Sequence, residues 1–189
     1  MPKLRSLAID GLGCLLVLGL FAYARAGDEP KAAPAGSAPA APGTGAVAGM
    51  NPTQGSSVKG QVTFKEEKHG VKLIADLTGL TPGEHGFHIH EKGDCSAPDA
   101  STAGPHFNPT DKRHGDPGTL DHHLGDLGNL DANKSGVAHL DVSFPHLTLT
   151  GPGSIIGKAL IVHTSKDDFK TQPTGNSGAR EACGVIKAE

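Results

Sequence analysis

The chain has 189 residues, of which 27 are glycine and 14 proline, and only 4% are aromatic. That composition suits one domain of short strands and frequent turns, argues against a helical bundle and gives no sign of a second folded domain. A formal charge of −3 offers no basic face, which argues against a nucleic-acid partner.

Residues 1–26 read as a secretory signal peptide. Lys3 and Arg5 form a basic head, Gly11 to Ala22 is a mostly apolar run of 12 residues, and Ala24-Arg25-Ala26 supplies a small-x-small cleavage pattern that predicts a mature N-terminus at Gly27. The run is shorter than the roughly 20 residues that cross a bilayer, so no stable membrane insertion is expected after processing. Cys14 lies inside the run, whereas a lipid-anchored cysteine would follow it. Loss of Lys3, Arg5, Arg25 and Asp10 takes the 17 basic and 20 acidic residues to 14 and 19, a mature charge of −5. The expected destination is outside the cytoplasm, in a periplasm or the extracellular space.

Residues 27–43 are mostly Ala, Pro and Gly and cannot bury enough apolar surface to offset the entropy of ordering them, so they read as a disordered tether. The folded domain is expected over 44–189. Three cysteines are an odd number, but loss of the leader leaves Cys95 and Cys183 as an even pair in an oxidising compartment. They form either a disulfide closing nearly ninety residues or two separate buried thiols.

Within the domain the pattern has the period of strands. Val58 to Phe64 and Val71 to Leu77 alternate apolar with polar or small residues around a hairpin at Lys68-His69-Gly70. Glu84 to His90 follows the turn Thr81-Pro82-Gly83, and Val137 to Phe144 and Ala159 to His163 are two further strands. Between them, about Glu91 to Leu130 and Thr164 to Ala182, lie two long irregular stretches dense in Gly, Pro, Asp and His. Loops of that length in a small domain point to function.

In the third strand His88 and His90 leave on one face, with Phe87 and Ile89 on the other, so the two imidazoles can grip one metal ion. A lone His-x-His is weak, but His106, His114, His123, Asp126 and His163 follow. Imidazoles suit copper and zinc, and a carboxylate added to histidines suits zinc. His114, His123 and Asp126 share one loop in the spacing His-x8-His-x2-Asp and need one further imidazole to close a tetrahedral zinc site. His88, His90 and His163 fit a copper that must change oxidation state. His106 stands between the sets, and a deprotonated imidazole could serve both.

Four stretches carry a family resemblance: Gly86–Cys95 (GFHIHEKGDC), Ala103–Pro109 (AGPHFNP), His123–Asn129 (HLGDLGN) and Gly178–Ile186 (GAREACGVI). They resemble the signatures of copper/zinc superoxide dismutases, especially the exported bacterial type, over about Thr44 to the C-terminus. The resemblance implies an all-β fold, a flattened eight-stranded antiparallel Greek-key barrel with two long functional loops, a sandwich architecture for which this family is a stock example. It implies copper on His88, His90, His106 and His163, zinc on His106, His114, His123 and Asp126, and a Cys95–Cys183 disulfide. Asp167 would join the two metal sites from behind the ligands, and Arg180 would guide the anion to copper.

The implied activity is dismutation of superoxide to oxygen and hydrogen peroxide by alternate reduction and oxidation of the copper, with His106 and Arg180 as the catalytic residues. The competing reading is an exported copper/zinc-binding or metal-delivery module on the same barrel, since fold does not dictate function. The resemblance is compatible with a monomer or a homodimer. Glu181 departs from the family's less polar residue there and would either pair with Arg180 or face solvent. His69, His85, His122, His139 and His146 match no ligand position.

Overall fold

The computed structural model describes residues 45–189. The expected leader, the tether and Thr44 lie outside the described residues. Nine strands follow: β1 Gly45–Pro52, β2 Lys59–Glu67, β3 Gly70–Thr78, β4 Gly83–His90, β5 Asp126–Ala132, β6 Val137–Phe144, β7 Ala159–His163, β8 Arg180–Val185 and the two-residue β9 Lys187–Ala188. The sheet order is β2-β3-β6-β5-β4-β7-β8-β1, and β1 also pairs β2, so eight antiparallel strands close on themselves while β9 adds to β1. The β3–β6 and β4–β7 pairings join strands that are not sequence neighbours, as a Greek key requires. Among the described residues the helical content is one 3-10 turn, Ser101–Ala103, and no helix is long and apolar enough to cross a membrane.

Alternation explains the β2–β3–β6 side. Val62, Phe64, Val71, Leu73, Ala75 and Leu77 are buried while their neighbours reach toward water. Each large apolar side chain buried this way contributes roughly 1.5–3 kcal/mol. The β4–β7 side differs, because β4 is buried from His85 to His90 and β7 throughout. One face of β4 sends Phe87 and Ile89 into the main core, and the other buries His88 and His90. Histidine thus takes positions where a strand of this kind would otherwise carry a second apolar face.

Two register shifts lie beside those histidines. On β4–β5, Gly86 faces Asn129 and His88 faces Asp126, so Leu127 and Gly128 oppose Phe87 alone, with Gly128 at a φ of 90° that favours glycine. On β7–β8, Val162 faces Ala182 and His163 faces Arg180, which leaves Glu181 unmatched. Bulges of this sort turn the adjoining side chains. Here they set Asp126 and Arg180 beside the histidines of β4 and β7.

The expected strands appear with ends shifted by a few residues at most, and Val137–Phe144 and Ala159–His163 keep their bounds. The two stretches expected to be irregular are corrected at their ends. The first stops at Asp126, where β5 begins, and the second stops at Arg180, where β8 begins. Both strands are largely buried and short, so neither shows the polar alternation that marks a half-exposed strand.

Candidate metal centre

His88 and His90 come from β4, His163 from the end of β7, and His106 from the first long loop, which runs back alongside β4. His106 makes an antiparallel bridge to His90, and the next residue is pinned by Phe107 N–H donating to Ile89 O at 2.8 Å. One ring nitrogen from each of the four histidines lies within 4.8 Å of the others. Those nitrogens, Nδ1 of His88 and Nε2 of His90, His106 and His163, are buried without a hydrogen-bond partner.

The opposite nitrogen of each ring is anchored. His88 Nε2 meets Asp167 Oδ2 at 2.8 Å, His90 Nδ1 meets Gly104 O at 2.7 Å, His106 Nδ1 meets Asp126 Oδ1 at 2.9 Å and His163 Nδ1 meets Gly178 O at 3.2 Å. For His88, His90 and His163 the oxygen acceptor fixes the proton on the anchored nitrogen, so their free nitrogens present lone pairs to one enclosed point that His106 Nε2 also faces. Four orphaned buried acceptors would be costly in an apolar core. They fit a soft or borderline cation.

The second set surrounds Asp126, the first residue of β5. Its Oδ1 lies 2.9 Å from His106 Nδ1, 3.0 Å from His114 Nδ1 and 3.3 Å from His123 Nδ1. His114 Nδ1 is nevertheless off the line of a hydrogen bond and stays unpartnered, as befits donors aimed at a shared point between them. Asp126 Oδ2 accepts from the main-chain N–H of His123 at 2.9 Å and of Gly115 at 3.1 Å, so the carboxylate also folds the loop around itself. His106 belongs to both sets, with Nε2 toward the first and Nδ1 toward the second.

The charge balance of the two sets differs. Burial pushes His106 down to about 4 and His163 to about 3, aided by neighbouring imidazoles, and holds His90 well below its usual value. These rings are neutral and open to a metal at ordinary pH. Burial also opposes protonation of His114, but Asp126 and Asp167 outweigh it and raise that ring to about 9. Burial works against both carboxylates too, yet their hydrogen bonds to histidines hold them far below the usual carboxylate range. The second set therefore attracts cationic charge, which suits a dication with no redox role.

Asp167 ties the sets together. Oδ2 meets His88 and Oδ1 meets His114 Nε2 at 2.9 Å, with the carboxylate itself fully buried. Asn129 on β5 holds the main chain of Asp167 from both sides, its Oδ1 accepting from Asp167 N–H at 2.7 Å and its Nδ2 donating to Asp167 O at 3.0 Å. Gly175, at a φ of 66°, leaves room for this arrangement, since a Cβ there would overlap both Asp167 Oδ1 and His114 Nε2.

Residues 58–186 match the family model described as copper/zinc superoxide dismutase. The chain belongs to the copper/zinc superoxide dismutase family. It is 42% identical over 150 residues to an extracellular copper/zinc superoxide dismutase of Brugia pahangi, covering 75% of this chain and 74% of that protein. It is 44% identical over 144 residues to a copper/zinc superoxide dismutase of Onchocerca volvulus, covering 70% and 90% respectively. A crystal structure titled as the clock protein EA4 superposes with a TM-score of 0.73 at 38% identity, covering 79% of this chain and 97% of that one. The named relatives are nematode proteins and lend no support to the bacterial type suggested by the motifs. Copper and zinc are the metals of this family, and the two donor sets fit them.

The structure brings all seven sequence-predicted ligand residues into the two sets, and it bonds Cys95 to Cys183 with their Cα atoms 5.8 Å apart. Around the bond, Ala100, Ala103, Ala159, Ile161 and Cys183 form a small separate core. Arg180 donates to Ala100 O and, at 2.7 Å, to Gly104 O, the carbonyl that also anchors His90. Its guanidinium is thus fixed by the same loop that the disulfide holds. Burial lowers the Arg180 pKa somewhat, but a guanidinium remains a cation.

One expectation changes. Glu181 neither pairs with Arg180 nor faces solvent: its Oε2 lies 3.4 Å from His85 Nδ1 inside the bulge, where burial raises its pKa. Lys166, on the second long loop, is paired with Glu84 at 2.5 Å. His85 has a role the motifs did not show, its Nδ1 contacting the carbonyl of His163 at 2.7 Å and its Nε2 that of Thr81 at 2.9 Å. The side-chain amides of Asn129 and Gln172, which hold loop backbone, were missed as well. A single sequence gives an Asn or Gln in a loop no distinguishing mark.

Proposed function

We propose that this protein is a superoxide dismutase with His88, His90, His106 and His163 as copper ligands, His106, His114, His123 and Asp126 as zinc ligands, and superoxide as substrate. The observation that carries the reading is the set of four enclosed, unpartnered ring nitrogens sharing one imidazole with a carboxylate-centred set. Bound copper supplies the one-electron steps by which two superoxide ions and two protons become oxygen and hydrogen peroxide.

The residues around it divide the remaining work. Anchoring of His88, His90 and His163 through their far nitrogens fixes each ring's tautomer and direction, as outer partners of metal ligands do. His106 offers one nitrogen to each set, so its copper-facing nitrogen can take up and return a proton while the other remains held beside Asp126. Arg180 places a fixed positive charge next to His90 and orients the anion. Asp167 keeps His88 and His114 in a common frame.

Residues 1–26 serve in this reading as an export signal and 27–43 as a tether. Support comes from the leader pattern, from a disulfide that belongs in an oxidising compartment, and from the extracellular nematode relative. The decisive experiment is metal analysis of the mature protein combined with stopped-flow superoxide decay. One copper and one zinc per chain with rapid decay is the expected result, and a fully metallated protein that leaves superoxide untouched would instead favour the metal-delivery module.

A further inference from the structure

His114 sits in the middle of the first long loop, away from any strand. Among the described residues its main-chain N–H and C=O have no main-chain partner, although buried peptide groups are almost always paired. Both are taken by one side chain from the second long loop. Gln172 Oε1 accepts from His114 N–H at 2.9 Å and Gln172 Nε2 donates to His114 O at 2.8 Å, with a longer contact from Nε2 to Lys170 O at 3.4 Å. The amide imitates a strand neighbour. The ring of the same histidine is held by Asp167, five residues before Gln172 on that loop.

We propose that Gln172 is a positioning residue for zinc: by gripping the His114 main chain while Asp167 grips its ring, it fixes Nδ1 toward Asp126 and makes zinc binding depend on the order of the second loop. The proposal rests on the zinc assignment above. Hydrogen-bond partners one step removed from a metal typically change its affinity by about 10–100-fold when lost. Gln172 is itself exposed, so water competes for these bonds and the effect belongs at the lower end of that range. The zinc set should respond selectively, because Gln172 touches His114 and none of the copper ligands, whose rings are anchored at Gly104, Gly178, Asp126 and Asp167.

The test titrates the metal-free, disulfide-bonded mature protein with zinc and, separately, with copper, each against a chromophoric chelator. Cobalt(II) is then placed at the zinc set and its visible d–d spectrum recorded. Gln172→Leu removes both bonds at similar volume and should weaken zinc binding about tenfold, alter the cobalt spectrum and leave copper affinity within about twofold of the parent. Should that variant fail to fold, Gln172→Glu replaces it under the same criteria, since a carboxylate can still accept from His114 N–H but opposes His114 O. Unchanged zinc affinity and cobalt spectrum in the folded variant would overturn the inference alone, as would equal weakening of both metals, which signals general destabilisation. A parent protein that takes up no zinc would overturn the zinc assignment and the inference with it.

Discussion

The two donor sets share His106 yet are built differently. The set proposed for copper draws three of its four donors from β4 and β7, whose directions are fixed by the main-chain ladder of a closed barrel. The set proposed for zinc draws His106, His114 and His123 from a loop and Asp126 from the first residue of β5. Strand donors need only a hydrogen bond at the far nitrogen. Loop donors need their backbone held as well, and it is held by Asp126 at His123 and Gly115 and by Gln172 at His114. The zinc half is therefore the part that side-chain changes can take apart.

The largest effect should come from freeing the loop at its root. Cys95 and Cys183 are 88 residues apart, and in the chain-entropy account a bond closing a loop of that size contributes roughly 4–5 kcal/mol. Cys183→Ser should lower unfolding free energy by about that amount in denaturant melts and release the carbonyls of Ala100 and Gly104 from Arg180. Indistinguishable melts would mean that the small core of Ala100, Ala103 and Ile161 holds the loop without the bond.

pH separates the halves by sign. In the metal-free protein His106 at about 4 and His163 at about 3 lie below the 6.5 of an unfolded histidine. Their contribution to stability is complete above pH 6.5 and is lost as pH falls toward those values, because the unfolded chain binds the extra protons. His114, raised to about 9, contributes in the opposite direction: fully below pH 6.5, and lost as pH rises through 9. Melting temperature of the metal-free protein should accordingly peak near neutrality and fall on both sides. A profile flat from pH 4 to 9.5 would contradict the assignment of neutral copper ligands and a cationic His114.

A smaller effect is expected at Arg180, which the β7–β8 bulge places beside His90. Steering gains run from roughly 10- to 1,000-fold and fall with salt, a range for which superoxide dismutase is itself the stock example. With Lys166 already paired to Glu84, Arg180→Ala should leave both metals bound, reduce the second-order rate on the order of tenfold and flatten its salt dependence. An unchanged rate would remove Arg180 from the approach path.

Much of the barrel was legible where strands have one wet face, as in Val58–Phe64 and Val137–Phe144. β5 escaped because Asp126–Ala132 is buried at most positions and interrupted by the Gly128 bulge, and β1 because Gly45–Pro52 is rich in Gly, Ala and Pro like the sequence of 27–43 before it. The candidate ligands could be picked out of 11 histidines because metal chemistry restricts their spacing, with the family motifs supplying the pairings. Glu181 was not legible, since its direction depends on a bulge that no local pattern records. Gln172 escaped for the same reason: its partner lies 58 residues away.

The division into a strand-borne copper half and a loop-borne zinc half is tested most directly by metal analysis of Asp126→Ala and His163→Ala purified side by side. Asp126→Ala should lose zinc and keep copper, while His163→Ala should lose copper and keep zinc. Asp126→Ala retaining zinc while losing copper would contradict the account.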